Sequence, residues 1–274
     1  MAKVTVDAIR QAKAKAEKIT MLTAYDCPMA KLLDEAALDI VLVGDSLGMV
    51  VLGYETTAPV TMEEMLHHAK AARRGVSRAL LVGDMPLMAF ESSIEQTVRH
   101  ARRFIEEAGC EAVKVEWKPD IERVVSAIVK AGIPVMAHVG LTPQTAANEG
   151  GFGMRGKDAS SAARLLTQAT AMEELGCFSV VLECLPDVLA QEITRRLRIP
   201  TIGIGSGVFC DGQVLVTYDL LGLFERFKPR FVKRYAELAP VIRQAAAAYV
   251  RDVKSGRFPD KEHTVSMKPE EIGL

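Results

Sequence analysis

The sequence predicts an α/β protein of eight parallel strands closed into a (β/α)8 barrel, the TIM-barrel class, with an N-terminal capping helix. Three observations predict it. Short apolar runs alternate with segments of helical periodicity, an order that gives a parallel sheet covered by helices. Eight such runs fit into 274 residues, a length that α/β barrels use for one domain. Five of the runs end in a polar or ionisable group: Asp39-Ile-Val-Leu-Val-Gly-Asp-Ser46, Ala79-Leu-Leu-Val-Gly-Asp84, Ala112-Val-Lys-Val-Glu116, Val135-Met-Ala-His138 and Val180-Val-Leu-Glu183. In a (β/α)8 barrel those strand ends share one rim, where active sites are built.

Taken in order, Thr5 to Glu17 reads as an alanine- and lysine-rich helix over one end of the fold, with 1–18 as its segment. Ile19–Ala24 is the first strand, followed by Tyr25-Asp26-Cys27-Pro28 and a helix over Met29–Ala37. The second strand, Ile40 to Val43, leads through Gly44 to Asp45 and Ser46. Leu47–Pro59 is then a long loop with Gly48, Gly53, Thr56 and Thr57, of the kind that often serves as a lid. Thr61-Met-Glu-Glu64 and Ser92-Ser-Ile-Glu95 read as capping boxes opening the next two helices, on either side of a strand at Leu80–Val82. Ile94, Val98, Ala101, Ile105 and Ala108 keep helical spacing until Gly109.

Strand Ala112–Val115 precedes a helix capped by Asp120 and ended by Gly132. Val135–Ala137 is the fifth strand, with a second long polar loop, Gly140–Lys157, after His138. Leu165, Ala169, Met172 and Leu175 mark the next helix, Ser179–Leu182 the sixth strand and Asp187 to Leu197 the helix behind it. Thr201–Ile204 and Val214–Thr217 complete the strands, Tyr235–Val253 is the last helix, and 255–274 is a polar, extended tail. The whole chain, 1–274, reads as one barrel domain.

Composition narrows the function. With 34 Lys+Arg against 35 Asp+Glu there is no basic stripe for nucleic acid. No apolar run reaches the roughly 18 residues of a membrane span. The first residues lack the apolar core of a signal peptide, and the five cysteines show no disulfide or metal spacing, so a cytoplasmic protein with reduced thiols, Cys177 and Cys184 among them, is expected.

Asp45, Asp84 and Glu116 would crowd three carboxylates at one rim and repel unless a cation neutralised them. An all-oxygen set with room for water and substrate suits Mg2+. The plainer alternative is that each caps a helix or pairs with a nearby Lys or Arg. Lys114 shares a strand face with Glu116. It would meet a substrate carboxylate or oxyanion, act as a Schiff-base lysine, or form a structural ion pair. His138 would donate to an oxyanion, accept from a substrate hydroxyl, or be a satisfied core histidine; His67, His68, His100 and His263 read as surface or packing residues. Glu183 follows three apolar residues and is the candidate general base, because burial favours a more basic carboxylate, with a paired core carboxylate as the alternative. Gly203-Ile-Gly-Ser-Gly207 fails the dinucleotide fingerprint, because Val208 stands where the last glycine is needed, and it reads as a tight turn. The chemistry that fits is proton removal beside the carbonyl of a 2-oxo acid, followed by carbon–carbon bond formation or cleavage.

Gly44-Asp-Ser-Leu-Gly-Met-Val-Val-Leu-Gly-Tyr-Glu-Thr-Thr57, with Val60-Thr-Met-Glu-Glu-Met65, resembles the signature of the ketopantoate hydroxymethyltransferase family. So do Gly83-Asp-Met-Pro86, Met136-Ala-His-Val-Gly-Leu-Thr-Pro-Gln144, the Gly203–Gly207 run with Cys210-Asp-Gly-Gln-Val-Leu-Val216, and Phe231-Val-Lys-Arg-Tyr235; the likeness covers residues 3 to 265. It implies a (β/α)8 barrel that moves a hydroxymethyl group from 5,10-methylenetetrahydrofolate to 3-methyl-2-oxobutanoate, giving 2-dehydropantoate on the route to pantothenate and coenzyme A. It implies Mg2+ held by Asp45, Asp84 and Glu116, the last through water. It implies contacts of the oxo acid with Asp45, Ser46, Asp84 and Lys114, His138 in the pocket, Glu183 as base, and a homo-oligomer, commonly a decamer. Two stretches depart from the family pattern: Trp117-Lys118 stand where two glycines are usual, and Gly150-Gly-Phe-Gly-Met-Arg-Gly-Lys157 differs after Phe152.

Two rival readings remain at this level. One is another Mg2+-dependent lyase or mutase of the phosphoenolpyruvate mutase and isocitrate lyase type, which needs a cysteine or aspartate that Leu47–Pro59 does not offer. The other is a non-enzymatic barrel that senses an oxo acid; an unpaired Glu183 facing an anionic ligand argues against it.

Overall fold

The computed structural model describes residues 2–90, 93–146, 151–267 and 269–272. Eight strands form a closed parallel barrel in sequence order: β1 (Ile19–Thr23), β2 (Ile40–Val43), β3 (Leu80–Asp84), β4 (Ala112–Glu116), β5 (Val135–Gly140), β6 (Ser179–Glu183), β7 (Thr201–Ile204) and β8 (Gly212–Leu215). Closure comes from β8 pairing with β1, with Met21 opposite Val214. The helices around it are α1 (Val6–Ala14), α2 (Cys27–Glu35), α3 (Leu47–Val50), α4 (Met62–Arg73), α5 (Ile94–Glu106), α6 (Ile121–Lys130), α7 (Ala159–Glu174) and α8 (Asp187–Arg196). The barrel and these helices, up to Thr217, make one compact unit together with Pro229–Val232.

Sequence chemistry accounts for most helix starts. Thr61 and Glu64 form the reciprocal capping box at the head of α4, with the Glu64 amide donating to Thr61 Oγ1 at 3.2 Å and the Thr61 amide to Glu64 Oε2 at 2.8 Å. Asp26 caps α2 by accepting from the Met29 amide at 2.8 Å. At α5 the observed cap is Ser93; the box expected from Ser92 falls on a residue outside those described.

The barrel floor is sealed by α1. Its Ile9 and Ala12 join Val4 in one buried cluster with Ile19, Met21, Ile40, Leu42, Leu80, Val82, Ala112, Met136, Val181, Ile202 and Val214. These strand residues recur at every second position, so they fill the barrel interior as one apolar layer. Asp34, at the end of α2, ties the segment before β3 to the wall. It accepts from the amides of Ser77, Arg78 and Ala79 and from Ser77 Oγ, which together hold its carboxyl down at about 2 although burial pushes it up.

Four local expectations are corrected. The long loop after β2 is not irregular throughout, because its first residues wind into α3. Asp120 precedes α6 with φ of 63° and its side chain makes no capping bond. The eighth strand lies two residues earlier than expected, at Gly212–Leu215. Residues 205–211 join β7 to β8 with no helix between them, so the βα alternation lapses there.

A second unit comprises Tyr218–Lys228 and the residues from Lys233 onward. It holds α10 (Leu238–Lys254), entered three residues later than the sequence suggested, after α9 (Thr217–Leu220). Of the residues in α10 only Ala239 is buried, while Val241, Ile242, Tyr249, Val250 and Val253 are exposed. The tail beyond it carries short 3-10 turns at Lys261–His263 and Pro269–Ile272. Among the described residues no helix is long and apolar enough to cross a membrane.

Candidate active site

One step above the apolar layer, the same strand positions become ionisable. Leu80 and Val82 are followed by Asp84 in β3, Ala112 by Lys114 and Glu116 in β4, Met136 by His138 in β5 and Val181 by Glu183 in β6. The ladder register sets who stands beside whom. Asp84 is opposite Lys114, Glu116 opposite His138, and Glu183 opposite Gly140. Gly140 has φ of +106°, and a Cβ there would lie 2.3 Å from the Glu183 carbonyl oxygen, so only glycine lets β5 approach the end of β6 so closely. Asp45 enters differently, from the turn just past β2.

The side chains join into one buried network. Lys114 Nζ donates to both oxygens of Asp84, at 2.6 and 2.7 Å, and lies 3.7 Å from Glu116 Oε1. Asp84 Oδ2 also accepts from the Asp45 amide at 3.3 Å. His138 sits between two carboxylates, Nδ1 at 3.3 Å from Glu116 Oε1 and Nε2 at 3.2 Å from Glu183 Oε2. Both contacts are close, but neither is aligned as a hydrogen bond. Glu183 is the most open member, its side chain 14% exposed against 2% for His138 and 3% for Glu116. Ser46 Oγ pairs with the Tyr25 hydroxyl at 2.9 Å, and His68 Nδ1 lies 2.8 Å from the Tyr25 carbonyl oxygen.

Negative charge predominates. Burial, with Asp84 and Glu116 close by, pushes the Asp45 carboxyl well above its usual range, against the opposing pull of Lys114 and Gln144. Burial also leaves Asp84 above its ordinary value despite Lys114. Against burial, the neighbouring carboxylates Asp84, Glu116 and Asp45 hold Lys114 charged, well above the usual lysine value. Burial raises Glu116, yet Lys114 and His138 bring it below its ordinary value. Burial and Lys114 press His138 down, but Glu116 and Glu183 outweigh them and it reaches about 9. Burial is the first cause of the Asp45 shift and the two neighbouring carboxylates the next, so added positive charge at this point would favour its ionised form. A divalent cation beside Asp45 and Asp84 would supply it, and oxygen donors suit a hard ion. Among the described residues no three His, Cys, Asp or Glu side chains form a ready-made metal cage. The fit is to an ion held by one or two carboxylates that keeps several waters and substrate oxygens, as Mg2+ does.

Every expected site residue therefore lies at this mouth: Asp45, Ser46, Asp84, Lys114, Glu116, His138 and Glu183. Two were missed. Tyr25, fully buried, orients the Ser46 hydroxyl, and Gln144 donates to Asp45 and Glu116. Tyr25 follows the first strand directly, and a buried phenol needs a partner, which is the signal that was there to read. Of the remaining histidines, half-buried His68 reaches the Tyr25 carbonyl, His100 lies against the Ala89 carbonyl, and His67 and His263 are exposed. Cys177 is buried and Cys184 half-buried, and burial pushes both thiols up to about 12, consistent with unreactive cysteines.

A family model described as ketopantoate hydroxymethyltransferase matches residues 3–261. The chain is 55% identical over 262 residues to the 3-methyl-2-oxobutanoate hydroxymethyltransferase of Syntrophus aciditrophicus (strain SB), covering 96% of each chain. It is 51% identical over 270 residues to the protein of that name from Carboxydothermus hydrogenoformans (strain ATCC BAA-161 / DSM 6008 / Z-2901), covering 98% of each. Among solved structures it is similar in fold to phosphonopyruvate hydrolase complexed with oxalate and Mg++ (TM-score 0.62, 14% identity, 96% and 93% covered). It is likewise similar to 2,3-dimethylmalate lyase, a PEP mutase/isocitrate lyase superfamily member (TM-score 0.60, 14% identity, 99% and 94% covered).

Proposed function

The chain belongs to the ketopantoate hydroxymethyltransferase family, and on that premise we propose how its barrel mouth works. The activity is transfer of a hydroxymethyl group to 3-methyl-2-oxobutanoate, a step of pantothenate biosynthesis. In our reading Asp45 and Asp84 hold Mg2+ directly and Glu116 through water. Bound there, the ion would draw electron density from the 2-oxo group and offset the negative charge that develops on it, an effect of several kcal/mol. The protein supplies the rest. Lys114 and the Ser46 hydroxyl anchor the acid. Glu183 takes the proton from C3, and His138, 3.2 Å from it, steadies its carboxylate. The deprotonated C3 then bonds to the methylene carbon of 5,10-methylenetetrahydrofolate as that carbon's bond to one folate nitrogen breaks, and the proton taken by Glu183 passes to the freed nitrogen. Water then displaces the second nitrogen, its hydroxyl staying on the carbon and its proton going to the nitrogen, so that tetrahydrofolate leaves.

The observation that carries this reading is the excess of buried carboxylates around Lys114, with Asp45 held well above its usual range. A neighbour of the same fold, phosphonopyruvate hydrolase, was solved in complex with oxalate and Mg++, which adds support. The lyase or mutase alternative has less, because Leu47–Pro59 contains no cysteine or aspartate to serve as its lid-loop acid. We also take the chain to assemble with copies of itself, supported by the exposed apolar side chains of α10.

Calorimetric titration of Mg2+ and of the oxo acid into Asp84→Asn tests the assignment. Both affinities are expected to fall together by at least about tenfold, because one carboxylate faces both the ion and Lys114. Unchanged Mg2+ affinity would remove Asp84 from the ion's ligands.

A further inference from the structure

We propose that Gln144 is a positioning residue for the cation site, holding Asp45 and Glu116 in the arrangement the ion requires. The proposal rests on the reading of those carboxylates given above. Gln144 comes from the loop after β5, in the tight turn Thr142-Pro143-Gln144-Thr145, where the Thr145 amide donates to the Thr142 carbonyl at 3.1 Å. The two threonine hydroxyls lie 2.8 Å apart across that turn, and Pro143 stands at its second position, where a fixed φ suits a turn. So the backbone that presents Gln144 is itself pinned.

Gln144 is 5% exposed, and its side chain and backbone amide together donate to the ends of three different strands. Nε2 donates to the Met85 carbonyl just past β3, at 2.9 Å, and to Asp45 Oδ2 just past β2, also at 2.9 Å. The backbone amide donates to Glu116 Oε2 at the end of β4, at 3.2 Å. The Met85 carbonyl decides the amide's orientation. A carbonyl only accepts, so the amide nitrogen must face it, and the nitrogen's second hydrogen is then aimed at Asp45. Lys114, by contrast, bonds Asp84 and lies 3.7 Å from Glu116. A donor on one oxygen of each carboxylate fixes the direction of the remaining oxygen, which is how residues behind a metal's ligands set the geometry of the site.

The test uses Mg2+ alone as probe, in calorimetry on the full chain, beside thermal melts without metal and kinetics across a Mg2+ series. Gln144→Met keeps the side chain's length and removes both Nε2 bonds, to Asp45 and Met85, while the backbone amide's bond to Glu116 stays. Its Mg2+ dissociation constant is expected to rise roughly 10- to 100-fold, with the Mg2+ concentration for half-maximal turnover rising in step. A residue that only anchors the loop would lower the melting temperature and leave the Mg2+ constant within twofold, and that result overturns the proposal. Should Gln144→Met not fold, Gln144→Asn keeps the amide but not its reach. It is expected to weaken Mg2+ by at least about threefold, and wild-type affinity in it would equally overturn the proposal. Failure of the wild-type chain itself to bind Mg2+ would instead strike the cation reading, and this inference with it.

Discussion

The floor and the mouth of the barrel are built from the same strands and the same alternation, yet they obey different rules. At the floor, Leu80, Ala112, Met136 and Val181 point inward into a layer sealed by Ile9 and Ala12 of α1, and nothing there needs a hydrogen bond. Two to four residues further on, the inward positions are Asp84, Lys114, Glu116, His138 and Glu183, and each lies within 4 Å of an ionisable neighbour. The floor gains stability by excluding water from apolar surface. The mouth gives stability up: burying several carboxylates around one lysine is costly, and the cost persists because the site gains chemistry from it. The lesson is that the barrel separates the two tasks along the strand axis, so a change at one level should leave the other largely untouched.

The strongest challenge to that separation is Glu183→Gln. It is expected to cut the rate of deuterium exchange at C3 of 3-methyl-2-oxobutanoate by roughly 10²–10⁴ while the melting temperature and oxo-acid affinity hold. Exchange at the wild-type rate, followed by NMR, would move the base elsewhere. The reciprocal change is Leu80→Ala at the floor. Removing this fully buried side chain is expected to cost about 2–5 kcal/mol in denaturant unfolding, with the Mg2+ constant of the folded protein unchanged. A parallel loss of Mg2+ affinity would show that the layers are coupled.

The smallest effect sharpens the comparison through pH. Asp34 belongs to the wall, not to the mouth, and is held at about 2 against an ordinary 3.8. A depressed folded pKa adds stability above the unfolded value and loses it as pH falls through the folded one. At about 1.4 kcal/mol per unit, Asp34→Asn should cost about 2 kcal/mol at pH 7, the deficit shrinking between pH 4 and 2. Melts of the two proteins across that window, differing by about 4–8 °C at pH 7 and converging at pH 2, check it. A deficit that stays constant with pH would mean the amides of Ser77, Arg78 and Ala79 do not depend on the charge.

Much of the mouth was readable because its residues sit where apolar runs stop. Asp45, Asp84, Glu116, His138 and Glu183 each break a run, and a polar group ending a buried strand invites explanation whatever the fold. The floor was readable from alternation and run length alone. What stayed hidden depends on meetings through space. Gln144 lies 99 residues from Asp45 in sequence and 28 from Glu116, and no local pattern marks it. Asp120 looked like a cap because its residue type is favoured there, but its left-handed backbone turns the side chain's oxygen away from that use. The missing helix between β7 and β8 follows from length: residues 205–211 are too few to hold a turn of chain and a helix both.

In the proposed mechanism, carboxylates at the mouth hold a divalent cation and the oxo acid gives up a carbon-bound proton to Glu183. Deuterium exchange at C3 of 3-methyl-2-oxobutanoate, without folate, before and after stripping divalent ions and after adding back Mg2+, tests it most directly. Exchange that stops on chelation and returns with Mg2+ is the result the account predicts. Exchange at an equal rate in the stripped protein would contradict it.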